Sequence, residues 1–479
     1  MDILNLTIGR VADMVRKREI SCLEICERFL DAVKERDGEI NCYLHVNDKI
    51  LEEAKASDSR LAGGGSPRAL EGVPVAVKDN ICVRQMPATC ASRMLENFVP
   101  PYDATVIERL RDQGALILGK TNMDEFAFGS STESSAFFTT RNPFDITRVP
   151  GGSSGGSAAA VGARLCMGAL GSDTGGSIRQ PAAFCGIVGF KPSYGVVSRY
   201  GLIAFASSLD QIGPMTRDVM DSCIIMNVIS GRDSRDSTCL DYDPPDYTRF
   251  LREDLKGIRI GVPVEYFPSG IEDSVREKVQ DAIRAAESLG AEVEEISLPH
   301  TGYGIAVYYI VATAEASSNL ARFDGVKYGY RTPSHENLLE MYMNTRGEGF
   351  GREVKRRIMM GTYVLSSGYY DAYYRKAEKV RSLIRKDFEE AFRKVDVIFT
   401  PATPEVPFRI GEKKADPLKM YLSDIFTANV NLAGLPAITL PVGYSGKLPV
   451  GLQVIAPFLR EDMLFKSASA IENHFRHTS

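Results

Sequence analysis

Short apolar runs alternate with segments of helical periodicity along most of this 479-residue chain. Val73–Val77 is the first such run, followed by a helical pattern at Ala104–Gln113 and another apolar run at Ala115–Leu118. Later apolar runs occur at Ile187–Phe190, Ile258–Val262, Val293–Leu298, Val395–Thr400, Ala437–Leu440 and Val450–Ile455. Short apolar runs indicate buried strands, and strands that alternate with helices form layered α/β structures. We therefore predict an α/β fold with a large mixed β-sheet sandwiched between helical layers.

The chain divides near residue 60. Residues 1–60 have helical character, with Ser21 and Glu24 spaced as a capping box. Gly63–Pro67 then forms a flexible break. We expect an N-terminal helical segment, residues 1–60, that packs on a main domain, residues 61–479. Within that domain, residues 303–390 are predicted to be a mostly helical insertion.

Charge and composition exclude several classes of protein. The net charge is −5 and the basic residues form no cluster, which argues against direct binding to nucleic acid. No apolar run approaches the 18 residues of a membrane span, and the N-terminus does not resemble a signal peptide. The nine cysteines show no metal-type pairing, so we expect reduced thiols, no metal site and a cytoplasmic location.

Two segments rich in glycine and serine flank an alanine-rich helical stretch. They are Gly151–Ser157 and Gly171–Pro181. Glycines let the backbone approach a ligand, and successive N–H groups in such a turn can hold an anion. A phosphate loop would need a lysine that is absent here, and a dinucleotide-binding glycine pattern is also missing. A serine–histidine hydrolase is disfavoured because none of the five histidines lies in this region.

A base for one of these serines is available at the end of the first apolar run. Lys78 directly follows Val73–Val77. A lysine that faces a cleft at a strand end can be desolvated, which lowers its pKa and leaves a neutral amine able to accept a proton. Serine–lysine pairs are an established variant of triad chemistry.

Taken together, Lys78, Gly151–Ser157 and Gly171–Pro181 resemble the amidase signature family. The resemblance implies a catalytic triad in which Ser177 is the nucleophile, Ser153 follows a cis peptide bond and relays the proton, and Lys78 is the base. It also implies an oxyanion hole formed by backbone N–H groups, and two residues that support this loop. The oxyanion-hole residues would be Thr174, Gly175, Gly176 and Ser177, and the supporting residues Asp173 and Arg179.

Further segments are similar to one subgroup, the A subunits of glutamyl-tRNA(Gln)/aspartyl-tRNA(Asn) amidotransferases. They include Asn122–Phe126, Arg199–Leu202, Ser207–Asp210, Glu315–Leu320, Gly349–Gly351 and Glu353–Tyr374. The resemblance implies a glutaminase that passes ammonia to partner B and C subunits. It implies no cofactor in this chain, with ATP and magnesium used by a partner, and aminoacyl-tRNA reached through the complex.

The same resemblance implies three residues that bind glutamine. Arg357 would hold the α-carboxylate, Asp424 the α-amine, and Tyr308 would line the pocket, with Tyr309 as the alternative. Guanidinium–carboxylate and carboxylate–ammonium pairs suit these roles. Two other hypotheses stay open: a stand-alone amidase that acts on another small amide, and a non-catalytic scaffold that only holds its partners.

Overall fold

A single mixed sheet of eleven strands forms the centre of the computed structural model, which describes residues 2–478. The strand order is β1-β3-β2-β4-β6-β5-β10-β11-β9-β7-β8. In chain order, the strands are β1 Tyr43–Val46, β2 Pro74–Lys78, β3 Leu116–Thr121, β4 Gly168–Asp173, β5 Val188–Lys191, β6 Gln211–Thr216, β7 Arg259–Pro263, β8 Glu292–Ile296, β9 Val397–Pro401, β10 Ala437–Ser445 and β11 Leu448–Ile455. The predicted α/β fold with a large mixed sheet is confirmed.

Fifteen α-helices in the described part of the chain cover this sheet. They are α1 Ile8–Arg16, α2 Cys22–Ile40, α3 Ile50–Ala62, α4 Thr105–Asp112, α5 Gly155–Gly162, α6 Arg179–Phe184, α7 Val219–Ile229, α8 Asp273–Ser288, α9 Gly304–Asn319, α10 Leu338–Gly349, α11 Arg352–Leu365, α12 Tyr374–Ala391, α13 Pro417–Tyr421, α14 Ala428–Ala433 and α15 Glu461–Thr478. Helices α9 to α12 account for the mostly helical region predicted at 303–390. Between residues 2 and 478, no helix is both long and apolar enough to cross a membrane.

The N-terminal segment differs from its prediction in one respect. Most of it is helical, and Ser21 caps α2 through the predicted box with Glu24. However, β1 joins the edge of the main sheet, where Tyr43 pairs antiparallel with Thr121 of β3. The segment is therefore part of the central architecture. The sequence did not reveal β1 because its pairing partner lies more than seventy residues away.

The parallel pairing of β2 and β4 determines where the functional residues meet. Val75 pairs with Gly168 and Val77 with Leu170, so both strands end at the same edge of the sheet. Lys78 ends β2, and Asp173 ends β4 directly before the second glycine-rich turn. Carboxyl ends of parallel strands are where α/β proteins place their sites. Residues 171–173 are thus strand, although their composition predicts a turn.

Gly156 shows how closely helix α5 packs on the neighbouring backbone. A Cβ atom at this position would lie 2.3 Å from the carbonyl oxygen of Asn122 and 2.8 Å from that of Cys42. Backbone atoms cannot give way as a flexible side chain would, and overpacking of a core costs about 1–3 kcal/mol.

We predict that Gly156→Ala lowers the midpoint of thermal unfolding. The matched control is Gly38→Ala in α2, where a Cβ atom meets nothing within 4 Å. Because alanine is about 1 kcal/mol better than glycine inside a helix, the control should keep or raise the midpoint. Equal midpoints for the two variants, measured by circular dichroism, would contradict the predicted close packing.

Candidate active site

Lys78 is fully buried, and its hydrogen-bond partners among residues 2–478 are all neutral. Its Nζ lies 2.7 Å from Ser153 Oγ, 2.9 Å from Ser172 Oγ and 3.2 Å from the Ser172 carbonyl oxygen. Ser153 is itself buried and follows a cis peptide bond with Gly152. The strand-end lysine and the serine of the first glycine-rich segment are therefore in direct hydrogen-bond contact.

The partners of Lys78 suit a neutral amine. Such an amine has two N–H donors and one lone pair. The carbonyl and hydroxyl oxygens of Ser172 can accept both N–H groups, which directs the lone pair toward Ser153 Oγ. Asn80 Nδ2 also donates to Ser172 Oγ, at 2.9 Å, and holds this hydroxyl in place. Proton transfer from Ser153 to Lys78 thus has its geometry in place.

The surroundings also lower the pKa of Lys78. Burial brings it from its ordinary value to about 7, because the charged form loses its hydration. The charges of Asp124, Asp173 and Asp210 act in the opposite direction and limit the shift. A substantial fraction of the amine is therefore neutral near pH 7.

Ser177 lies in the turn between β4 and α6, and the main chain places it beside the segment that carries Ser153 and Ser154. The N–H of Ser154 donates to the Ser177 carbonyl oxygen at 3.1 Å. The Ser177 side chain is 8% exposed, and its hydroxyl has no hydrogen-bond partner within the described residues. Ser177 is thus held close to Ser153 while its Oγ stays free to react.

The backbone N–H groups of the same turn are the donors expected to form an oxyanion hole. Those of Thr174, Gly175 and Ser177 have no hydrogen-bond partner in the part of the chain that the structure describes. The N–H of Gly176, by contrast, donates to Asp173 Oδ1 at 2.9 Å. Three of the four expected donors are therefore free to hold an oxyanion, and the N–H of Gly176 is used to support the turn.

A buried ion pair between Asp173 and Arg179 holds this turn in place. Arg179 Nη2 lies 3.1 Å from Asp173 Oδ1, and both side chains are fully buried. Burial alone would raise the pKa of Asp173, but the charge of Arg179 holds it at about 2. The guanidinium also donates to Gln453 Oε1 at 2.6 Å and to Asn431 Oδ1. The predicted supporting pair is therefore anchored to β11 and α14.

Arg357 lies at the inner end of a cavity of about 200 Å³ that is also lined by Ser130, Glu353 and Tyr421. Its Nε donates to Glu353 Oε1 at 2.9 Å, which is the guanidinium's only hydrogen bond to a described residue. Four rings surround the guanidinium carbon, with centroids 5.1–5.9 Å away: those of Phe128, Phe205, Tyr309 and Tyr421. Its two Nη atoms are thus held in an apolar surrounding and are available to a carboxylate.

Asp424 supplies the opposite charge at the same site. Its Oδ2 accepts a hydrogen bond from Ser130 Oγ at 2.5 Å, whereas its Oδ1 is buried without a partner in the described chain. Burial raises the pKa of Asp424 to about 7. A Cβ atom on Gly176 would lie only 3.3 Å from Oδ1, so this oxygen borders the nucleophile turn. An ammonium group placed there would satisfy both its charge and its free lone pairs.

The two adjacent tyrosines contact different parts of the site. A Cβ atom on Gly175 would fall 2.5 Å from the Tyr308 ring, so Tyr308 packs directly on the nucleophile turn. The Tyr309 ring instead stacks on Tyr421 at a centroid distance of 3.9 Å and lies beside Arg357. Tyr308 therefore borders the turn that carries Ser177, and Tyr309 helps to enclose Arg357.

Several residues of this site had no recognisable signal in the sequence. Ser172, Asn80, Asn431, Gln453 and Ser130 are ordinary polar residues whose roles depend on partners far away in the chain. Asn431 Nδ2, for example, donates to Asp173 Oδ1 at 2.9 Å across 258 positions. Ser172 lies within a segment already singled out for its composition, and its neighbours on β4 could have directed attention to it.

The chain belongs to the amidase family, whose model matches residues 24–465. It is 58% identical over 478 residues to the A subunit of the glutamyl-tRNA(Gln) amidotransferase of Desulforudis audaxviator, covering 100% of this chain and 97% of that protein. It is 56% identical to the protein of the same name from Thermoanaerobacter pseudethanolicus, covering 98% and 97% of the two chains.

Solved structures extend these similarities. The A subunit of the glutamyl-tRNA(Gln) amidotransferase from Thermotoga maritima superimposes with a TM-score of 0.83 at 45% identity, covering 99% of this chain and 95% of that one. A bacterial aryl acylamidase of the amidase signature enzymes superimposes with a TM-score of 0.85 at 25% identity, covering 98% and 96% of the chains. Members of the family with different activities therefore share this fold.

We predict that Arg179→Met strongly destabilises the protein, because it leaves the Asp173 carboxylate buried and unpaired. Breaking a buried pair in this way costs about 3–5 kcal/mol. The control is Arg375→Met, which removes an exposed ion pair with Asp371 and should cost about 0–1 kcal/mol. Chemical denaturation measures both free energies of unfolding. A loss for Arg179→Met no larger than the control's would contradict the supporting role of the pair.

Proposed function

We propose that this chain is the glutaminase component of a tRNA-dependent amidotransferase, which hydrolyses glutamine and supplies ammonia for the amidation of Glu-tRNA(Gln), Asp-tRNA(Asn) or both. The observation that carries the proposal is a pair of opposite charges at one site, each with free hydrogen-bonding atoms: the two Nη atoms of Arg357 and Oδ1 of Asp424. Arg357 and Asp424 match the α-carboxylate and α-ammonium of an amino acid whose side-chain amide reaches Ser177. Identity of 56–58% to the A subunits of two glutamyl-tRNA(Gln) amidotransferases supports the same activity.

The geometry supports a four-part reaction. Neutral Lys78 takes the proton of Ser153, which takes that of Ser177, and Ser177 Oγ bonds to the amide carbon of glutamine. The oxyanion is held by the free N–H groups of the turn, each of which contributes about 3–4 kcal/mol to the transition state. The relay returns its proton to the amide nitrogen, and the C–N bond breaks to release ammonia. Water then attacks the ester, releases glutamate and restores Ser177.

The remaining chemistry of amidation is proposed to lie in partner subunits. The glycine-rich segments form an oxyanion turn, and no phosphate-binding sequence accompanies them. B and C subunits would complete a heterotrimer, with ATP and magnesium used by a partner to activate the tRNA-borne carboxylate. Aminoacyl-tRNA would contact this chain little, in accord with its net charge of −5. We expect the complex to carry out this function in the cytoplasm.

A stand-alone amidase is the second candidate, because related structures carry that activity. A peptide amidase in complex with chymostatin superimposes with a TM-score of 0.83 at 28% identity. Nothing in the relay itself separates the two functions, since both require an acyl-enzyme. The charged pocket does separate them, because a simple amide would leave the Nη atoms of Arg357 and Oδ1 of Asp424 without partners on binding.

We predict that Ser177→Ala abolishes glutamine hydrolysis but preserves ammonia-dependent amidation by the assembled complex. Loss of a serine nucleophile lowers kcat by about 10⁶-fold in other serine hydrolases. The control is Ser367→Ala, at an exposed position. Glutamate release and tRNA amidation are measured in parallel. Glutamine turnover near the wild-type rate in Ser177→Ala would overturn the proposed nucleophile.

We predict that Arg357→Lys raises the KM for glutamine by about 10–100-fold, because a lysine cannot form a two-pronged bond with the α-carboxylate. The matched substrate is 4-aminobutanamide, which has the amide and amine of glutamine but no carboxylate. Its KM should change little. If both substrates lose affinity equally, Arg357 does not bind the carboxylate and the stand-alone amidase is favoured.

A further inference from the structure

Two segments that mark the subgroup resemblance meet beside the site, although neither has a role in the reaction described above. They are Asn122–Phe126 and Gly349–Gly351. The carboxylate of Glu125 accepts the N–H of Gly351 with both oxygens, at 3.1 and 3.0 Å. Ser92 Oγ lies 2.5 Å from Glu125 Oε1, and the Glu125 side chain is only 2% exposed. A buried carboxylate thus joins the two segments.

This contact lies at the N-terminus of the helix that carries Arg357. Gly351 is the residue before α11 and has no side chain to cap it. The Glu125 carboxylate accepts the N–H of this N-cap residue, as the second acceptor of a capping box does, at a helix end where the dipole favours a negative charge. A Cβ atom on Gly351 would lie 2.1 Å from Glu125 Oε2, so the contact requires glycine. The rings of Phe126 and Phe350 pack beside it at 5.6 Å.

The residue before Glu125 makes equally close contacts with the proton relay. The N–H of Asp124 donates to the Ser153 carbonyl oxygen at 3.2 Å. A Cβ atom on Gly152 would lie 2.1 Å from Asp124 Oδ2, so this carboxylate packs against the peptide that precedes Ser153. Asp124 also accepts the N–H of Thr132 at 2.9 Å. Two consecutive acidic residues therefore hold the relay on one side and α11 on the other.

We propose that Glu125 is a positioning residue that fixes α11, and with it Arg357, at the distance from Ser177 that glutamine requires. The inference rests on the proposed function, because it concerns binding of the α-carboxylate. Glu125 does not touch the substrate. By keeping the Arg357 guanidinium at a fixed distance from Ser177, Glu125 makes the protein bind amino-acid amides more tightly than simple amides.

The test compares glutamine with 4-aminobutanamide in Glu125→Ala. We expect the KM for glutamine to rise about tenfold or more, because a displaced Arg357 loses about as much binding free energy as one charge-assisted hydrogen bond provides. The kcat should stay within about threefold of wild type. The KM for 4-aminobutanamide should stay unchanged. In the Arg357→Ala background, adding Glu125→Ala should raise the KM no further, because residues that act as one unit are not additive.

Two further variants separate positioning from general stability. Glu125→Gln keeps one acceptor oxygen for Gly351 and should show the same selective change at smaller amplitude. Glu340→Ala removes a carboxylate that binds the N–H of Glu336 beside α10, away from the site, and should alter neither KM. Thermal unfolding is recorded for each variant.

The proposal is overturned if Glu125→Ala weakens both amides equally, lowers kcat alone, or adds fully to Arg357→Ala. It is also overturned if the alanine variant unfolds and the folded glutamine variant shows no selective change in KM. These outcomes differ from failure of the proposed function, in which the wild-type protein itself would not prefer glutamine to 4-aminobutanamide.

Discussion

The burial of one lysine amine among neutral oxygen atoms is the constraint on which the site depends. Lys78 is the last residue of β2 and Lys120 the last but one of its parallel neighbour β3, and both side chains are fully buried. Lys120 pairs with the carboxylate of Asp79 at 3.1 Å, whereas the hydrogen-bond partners of Lys78 in the described chain are all serine oxygens. A carboxylate in contact with Lys78 would stabilise its charged form and remove the base. The absence of that contact keeps the neutral amine accessible, which the proposed base requires.

In the proposed reaction, the rest of the site supplies charges that bind the substrate, and the structure keeps those charges from direct contact with this amine. Asp173 is neutralised by Arg179, so the turn gains a rigid anchor. Asp424 and Arg357 stay without full partners and lie on the substrate's side of the turn. The helices between residues 303 and 390 carry part of this site. Helix α9 carries Tyr308 and α11 carries Arg357, both near the edge of the sheet where β2 and β4 end.

The sequence alone indicated the fold class and the candidate residues. The features that it did not reveal have physical explanations. Lys78 stood out because a charged residue directly follows an apolar strand. Strand β4 was hidden because Gly168–Asp173 is rich in small residues, although all of it is buried. The links of Ser172 to Lys78 and of Glu125 to Gly351 connect distant positions through the folded chain. Local pattern therefore identified which segments matter, and tertiary packing determined how they work together.

The most direct test of the central claim is the titration of Lys78 itself. In protein with ¹⁵N-labelled lysine side chains, the difference between wild type and Lys78→Met assigns the Lys78 amine by NMR. A midpoint near pH 7 is predicted, with the neutral amine increasing as pH rises. An amine that stays charged to above pH 9 would contradict the assignment of Lys78 as the base.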